Sequence, residues 1–431
     1  AICNQIPSHF RSFCCKVLSK MVWVSLVSVL AMTTTVTMAV PFGHNFSTAG
    51  AAWWGDFGYS LLDPDQTAFV AKYYKVASLE KCTGQGQGVK TEDGIHQIAT
   101  NLKALNPEIK VMFYWSCTQA GIGCYAANTT FQAHPEWWLK DDNGKVVGSG
   151  GDQDGPRIDP MNAEAVDWWI SVPLAGVNAG YLYDGVLADD SGYDSVPNIS
   201  VARSEVLYAA KLSMISGLQA KFDAVGRDGI VFGNGLNEYD QDPQDPHSRD
   251  ILEHVKGIQN EHFAAFEQVY PNGSIILDKA SDVLDEIEWA SHYANGSKQV
   301  FWSFWAGPYR GFKNGWPMYA DDSQPCGSKS PLPPCKTQAD TYDGWKAELV
   351  KYLPFNLAAF LTVASTNTWF TQAVWYELHQ GFVNCPKNPG TCALPDDFYP
   401  ILQKPLGLPK GSRVTAGPYK WTREFEFATV T

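Results

Sequence analysis

From Ala51 onward the chain repeats one pattern, a short continuous apolar run rich in β-branched and aromatic residues followed by a longer stretch with helical spacing. The runs are Ala51–Trp54, Tyr73–Leu79, Lys110–Trp115, Gly185–Asp189, Gly229–Gly233, Val255–Asn260, Gln299–Phe304 and Leu357–Ala364. Runs that do not alternate apolar with polar residues are expected of strands covered on both faces, as in a parallel sheet. Helices are expected at Asp93–Leu105, Asn162–Pro173, Val201–Ala224, Ser281–Ala294 and Thr341–Tyr352, the second started by Asp159 and Pro160. Eight strands with helices between them fit an α/β chain of the (β/α)8 TIM-barrel class. A doubly wound sheet fits less well, because no G-x-G-x-x-G follows the first strand.

Two strand-to-helix connections, 116–158 and 305–340, are long, and they lie on the side where barrel enzymes build their sites. Each holds a close cysteine pair, Cys117 with Cys124 and Cys326 with Cys335, and Cys385 with Cys392 makes a third. Short loop-closing disulfides are expected of these pairs, with Cys82 left over. After Gln380 the pattern changes to a cysteine-bounded loop, a Pro-rich stretch and the alternating REFEFATVT. The expected organisation is a barrel over 45–380 and a small C-terminal loop and β extension over 381–431, which ends without a turn or cap, as a truncated chain would.

Residues 1–20 contain no Met and read as untranslated-region sequence, whereas Met21 opens the apolar run MVWVSLVSVLAM. Arg11, Lys16 and Lys20 precede that run and no acid does, so 21–39 read as a secretory signal. The run is shorter than the roughly 20 residues that span a bilayer, so stable membrane insertion is not expected. Paired cysteines and sequons at Asn45, Asn128, Asn198, Asn272 and Asn295 agree with export and glycosylation. The formal charge is −13 over 431 residues, and losing the signal removes bases but no acids. Such a surface lacks the basic face that displaces counterions from nucleic acid, so the partner is expected to be neutral or cationic.

The sharpest chemical signal is YLYDGVLADDSGY, residues 181–193, in which an apolar run delivers Asp189 and Asp190 to the end of the fourth strand. Catalytic groups of barrels sit at such ends. Neighbouring side chains on a strand point oppositely, so one of the two acids faces the barrel mouth, and Asp189 is favoured; capping of the following turn is the alternative. The second signal is VKGIQNEHFAAFE, residues 255–267, which ends the sixth strand at Asn260 or Glu261. Glu261 would face Asp189 across the mouth, or else stabilise a helix beginning at His262. Two carboxyl groups flanking a pocket are what glycoside hydrolysis needs, one as nucleophile or base and one as acid.

Candidate substrate contacts at the other strand ends are Trp53 and Asp56, Glu80, Trp115, Asp190, Asn234, and Trp302 and Trp305. Aromatic residues make up 13% of the chain, and their rings suit both sugar faces and cores. Tyr114 and Trp115 cannot both point inward, so part of this aromatic set must be packing. No CxxC or HxxxH spacing offers a metal site, and the chemistry calls for no metal or organic cofactor.

The combined pattern resembles the barrels described as hypothetical glycosyl hydrolase family fifteen and, distantly, the α-galactosidase-like clan. The resemblance rests on YDGVLADD, GIQNEHF, HPEWWL with a following DNG, IDPMNAEAVDWW, and the tail PLGLPKGSR with YKWTREFEF, and it covers roughly residues 50–431. In that clan the nucleophile ends strand four and the acid/base ends strand six, which implies these roles for Asp189 and Glu261. A secreted glycoside hydrolase acting on a poly- or oligosaccharide is therefore expected. The rival readings are a carbohydrate-binding barrel without catalysis and a polysaccharide lyase, for which Lys75, Arg157 and Arg310 would be the cations near the cleft.

Overall fold

A computed structural model describes residues 43–431, excepting 59, 120–121, 149–154, 195, 227–228, 235–245, 264–267, 270–274, 277–297, 306–311, 314–315, 318–337, 375–377, 380–381, 384–399 and 419. The expected signal segment, the Ser281–Ala294 helix and the cysteine pairs 326/335 and 385/392 lie outside the described residues, as does Arg310.

Eight parallel strands run in sequence order around the sheet: β1 (Trp54–Phe57), β2 (Val76–Leu79), β3 (Lys110–Ser116), β4 (Gly185–Asp189), β5 (Val231–Asn234), β6 (Gly257–Phe263), β7 (Gln299–Trp305) and β8 (Thr368–Val374). The amide of Phe370 on β8 donates to the carbonyl of Ala52 at 2.9 Å, and Phe370 bridges Trp53 in parallel, so the last strand returns to the start of the first. This is the (β/α)8 barrel that the sequence pattern called for. Besides a short helical turn at Asn128–Ala133, the longer helices described between the strands are α1 (Pro64–Tyr73), α2 (Thr91–Leu105), α3 (Ala163–Asn178), α4 (Val201–Ala224), α5 (Pro246–His254) and α6 (Gln338–Val363).

Local chemistry explains where the helices begin. Asp63 accepts from the Gln66 amide while the Gln66 side chain returns a bond to the Asp63 backbone, a reciprocal cap for α1 with Pro64 in its first turn. Helix α3 starts later than expected, because Asn162, and not Asp159, caps it by accepting from the amides of Glu164 and Ala165. Asp159 instead holds the preceding turn through the Met161 amide at 2.9 Å.

The eighth strand is a correction. Leu357–Ala364 is the end of α6, a helix of 26 residues that carries Pro354 inside it, and the strand follows at Thr368–Val374. The apolar run is continuous because that helix turn is buried, and continuity alone does not separate a buried strand from a buried helix.

Register decides which side chains fill the barrel, since paired residues of parallel neighbours share a face. Tyr114 pairs Leu187, Ser116 pairs Asp189, Leu187 pairs Phe232, and Phe301 pairs Trp369. Inside, Trp54 lies edge-on to Phe301 with centroids 5.4 Å apart, Phe232 stacks on Phe301 at 4.5 Å, and Trp369 continues the stack at 6.0 Å. This aromatic plug closes the interior below the strand ends. Gly185 on β4 allows β5 to approach, because a Cβ there would stand 2.1 Å from the Ile230 carbonyl oxygen.

The tail forms three antiparallel strands, β9 (Val414–Gly417), β10 (Lys420–Glu424) and β11 (Thr429–Val430). The Arg423 guanidinium on β10 donates to the carbonyls of Leu361 and Ala364, anchoring this sheet at the C-terminal end of α6.

Candidate active site

Strand β4 ends at Asp189, and its half-buried carboxylate is held from both sides. The Tyr114 hydroxyl donates to one oxygen, Oδ2, and Asn234 Nδ2 donates to the other, Oδ1, at 2.8 Å. These donors come from β3 and β5, the two strands that flank β4 in the sheet. Burial, and then the negative charges of Asp189, Glu80 and Asp190, push the Tyr114 phenol well above its ordinary pKa, so it stays a hydrogen-bond donor.

Glu80 follows β2 directly, and its Oε2 accepts from the Lys81 amide at 3.2 Å and from Lys81 Nζ at 3.3 Å. Lys81 Nζ also lies 4.9 Å over the Tyr114 ring, so this ion pair borders the phenol. Asp56 on β1 is buried, and its register partner is Ser78 on β2. Asp189, Asn234, Glu80 and Asp56 are thus carried at the C-terminal ends of β4, β5, β2 and β1.

Asp190 takes a different position from Asp189. Its backbone is left-handed, with φ 55°, and its Oδ2 accepts from Ser116 Oγ at 2.7 Å and Thr118 Oγ1 at 2.8 Å. It ties the end of β3 to the turn after β4. Glu261 lies on β6, which runs on to Phe263, so no helix begins at His262 and the helix-capping alternative falls. The side chains of Glu261 and Trp305 lie outside the described residues, although Trp305 closes β7.

The other tryptophans expected at the cleft are corrected. Trp53, Trp115 and Trp302 are 0%, 1% and 0% exposed. Trp53 bridges the outward-facing Phe370 and meets Tyr74, while Trp302 is the register partner of Phe370 on β8. Trp115 and Trp169 of α3 exchange bonds, each indole N–H reaching the other segment's backbone: Trp115 Nε1 donates to the Trp169 carbonyl and Trp169 Nε1 to the Ser116 carbonyl. All three rings are buried, and that of Trp115 joins the barrel to α3. The inward member of the Tyr114–Trp115 pair is Tyr114, a site residue that sequence reasoning passed over. Alternation predicted that only one could be inward, and the hydroxyl that a buried tyrosine must satisfy is the signal that could have chosen it.

The cysteine pairing is also corrected. Cys82 and Cys124 form the disulfide, with Cα atoms 5.2 Å apart, and Cys117 is a buried free thiol. Cys82 follows Glu80 and Lys81 after β2, Cys124 lies in the loop after β3, and adjacent strands bring these two loops together. Of the cations suggested for a lyase, Lys75 precedes β2 at the opposite end of the barrel and Arg157 is paired with Asp194, while Arg310 lies outside the described residues. Among the described residues no group of three or more His, Cys, Asp and Glu side chains is arranged to hold a metal ion, and no helix is long and apolar enough to cross a membrane.

A (β/α)8 barrel with carboxylates gathered at the C-terminal ends of its strands is the architecture of many hydrolases of sugars. Residues 103–303, from the end of α2 into β7, match the model of the family described as hypothetical glycosyl hydrolase family 15. That span contains Asp189, Asn234 and Glu261, so the resemblance read from the sequence stands, and with it the enzyme class, a glycosidase. Among solved structures the chain is similar to the glycoside hydrolase domain of PelA from Pseudomonas aeruginosa, at 13% identity over 60% of this chain and 86% of that one, with a TM-score of 0.39. It is similar to Aspergillus fumigatus Ega3 in complex with galactosamine, at 13% identity over 78% and 96% of the two chains and a TM-score of 0.39. A sulfoquinovosidase of family GH31 from E. rectale gives 11% identity over 64% and 41%, with a TM-score of 0.41. No curated protein matches the chain.

Proposed function

We propose that this protein is a secreted glycosidase that hydrolyses a poly- or oligosaccharide with Asp189 and Glu261 as its carboxyl pair. The observation that carries the reading is the Asp189 carboxylate, presented at the end of β4 and bonded on each oxygen by a neutral donor, Tyr114 and Asn234. Donors of this kind favour the ionised carboxylate, the form needed in a nucleophile or base. In the retaining course, an Asp189 oxygen bonds the anomeric carbon as the glycosidic C–O bond breaks, and the leaving oxygen takes the Glu261 proton. Water, giving its proton back to Glu261, then releases the sugar. A carboxyl separation near 5 Å supports this course, and one of roughly 6.5–9.5 Å supports inversion with one of the two as base. Glu80, Asp56 and Asn234 supply hydrogen-bonding groups for sugar hydroxyls. Export is supported by the apolar run after Met21 and by the Cys82–Cys124 disulfide, which belongs to an oxidising compartment.

The test is a glycan panel with reducing-end release as readout. Asp189→Asn is expected to lower turnover by about a thousandfold or more while sparing binding and folding. Undiminished turnover in that variant overturns the reading. An unsaturated, ultraviolet-absorbing product would replace hydrolysis with elimination.

A further inference from the structure

We infer that Tyr114 is a positioning residue of the reaction, its hydroxyl fixing the orientation and the ionised state of Asp189. The inference rests on the reading of Asp189 as the working carboxylate, and it extends that reading to a residue that need not touch substrate.

The phenol is held from several directions. Tyr114 sits on β3 beside β4 with its ring buried, and its hydroxyl donates to Asp189 Oδ2. Its own carbonyl accepts from the Tyr125 hydroxyl at 2.8 Å, so the loop after β3 folds back on this point of the strand. Cys124, next to Tyr125, is bonded to Cys82, and the residue before Cys82 is Lys81, whose ammonium covers the Tyr114 ring. The disulfide therefore connects the segment that backs Tyr114 with the one that covers it. A ring held in this way presents its hydroxyl without further loss of freedom when substrate arrives, which is the condition for preorganised catalysis.

The electrostatic surroundings give the hydroxyl its task. Asp189 shares its neighbourhood with Glu80 from β2 and with Asp190 on its own turn, while Lys81 beside Glu80 and the Lys211 ammonium, bonded to the Asp190 carbonyl, are nearby cations. The Cys117 thiol senses Asp189 and Asp190, and burial keeps it protonated, so it adds no charge. Glu261 of β6 is the partner carboxyl in the proposed reaction. Neighbouring carboxylates oppose the ionisation of Asp189, whereas the Tyr114 and Asn234 donors support it without adding charge. Tyr114→Phe removes one donor and leaves the ring and its packing.

The expected result has a substrate-free part and a kinetic part. Labelling by a water-soluble carbodiimide with an amine follows the protonated carboxyl, and the fraction modified at Asp189 is read by mass spectrometry against pH. In Tyr114→Phe the labelling midpoint should move up by about one pH unit, as loss of a hydrogen bond to a charged group implies. With the panel polysaccharide that gives the largest reducing-end release, kcat/KM should fall roughly ten- to a hundredfold, with its acidic limb displaced the same way. A variant that melts at the parental temperature and keeps the parental labelling midpoint and acidic limb overturns the inference. Lost melting temperature with an unmoved midpoint also overturns it, because that is what packing alone would give. Asp189→Asn is measured alongside. If it stays active the functional reading fails, and if it is inactive while Tyr114→Phe is unaltered only the positioning role fails.

Discussion

Lys211 of α4 donates its buried ammonium to the carbonyl oxygens of Asp190 at 2.8 Å and Gly192 at 2.6 Å, so a helix on the outside of the barrel holds the turn that follows Asp189. Burial lowers the Lys211 pKa, and Asp194 and Asp190 act against that shift while Arg157 adds to it. Asp190, at a φ of 55°, holds the left-handed conformation that is uncommon outside glycine but that aspartate tolerates in turns. Lys211→Met keeps the aliphatic stem and removes both bonds. It is expected to cost about 2 kcal/mol, less than two charged hydrogen bonds because the desolvation of the ammonium is also removed. The urea midpoint measures the loss, and turnover should drop further than stability does, since Asp189 loses its fixed neighbour.

The Cys82–Cys124 bond closes a segment whose ends are 42 residues apart in sequence. Loop-closure entropy for that length predicts a stabilisation of about 4 kcal/mol, which Cys82→Ala with Cys124→Ala should remove. Peptide mapping without reduction is expected to show 82 joined to 124, with Cys117 alkylated only after unfolding. A Cys117–Cys124 peptide would contradict the structure and restore the pairing expected from sequence proximity.

That pairing shows why some features were legible in the sequence and others were not. Strand β4 was readable to the residue, Gly185–Asp189, because a buried strand flanked by Asp184 and the Asp190 turn has sharp chemical edges. Nearness along the chain, however, says little about which cysteines meet; that depends on β2 and β3 being neighbours in the barrel. The end of α6 was read as a strand because a buried helix turn and a buried strand share a composition, and because Pro354 sits within the helix, where proline ordinarily marks a boundary. Asp189 followed from its place at a strand end. Tyr114 needed the barrel's inward face, which alternation divides into two classes without saying which class is inside.

His44 supplies a pH-dependent contribution to stability. It lies near the start of β8, with its Nε2 2.9 Å from the Thr368 carbonyl oxygen and its ring against Phe46 and Trp369. Burial lowers its pKa to about 4 from 6.5, although its backbone hydrogen bonds oppose the shift. Between those two pH values the unfolded chain holds a proton that folded His44 does not take. Stability therefore falls as the pH drops from 6.5 towards 4, by up to about 3 kcal/mol from this group. Chemical denaturation at a series of pH values should show this slope, and His44→Gln should flatten it while retaining a donor for Thr368.

Arg423 should act as the fastener of the C-terminal sheet. Its NH1 donates to the Ala364 carbonyl at 2.7 Å and the Leu361 carbonyl at 3.1 Å, its Nε donates to Gly411 at 3.0 Å, and its guanidinium carbon lies 5.3 Å from the Phe425 ring centroid. The carbonyls at the end of a helix have no partners within it and carry the negative end of its dipole, so a guanidinium is suited to them in both charge and geometry. Arg423→Met fills similar space and leaves those carbonyls to water, at an expected cost of about 1–3 kcal/mol. The loss should be local, because β9 to β11 pair with one another and not with the barrel strands. Hydrogen exchange is therefore expected to quicken in 414–430 and at the C-terminal turn of α6, while the amides of β3 to β5 and reducing-end release from the glycan panel stay at parental rates. Faster exchange spread evenly over the barrel would mean that the tail is part of the barrel's cooperative unit and is not a separate sheet fastened to it.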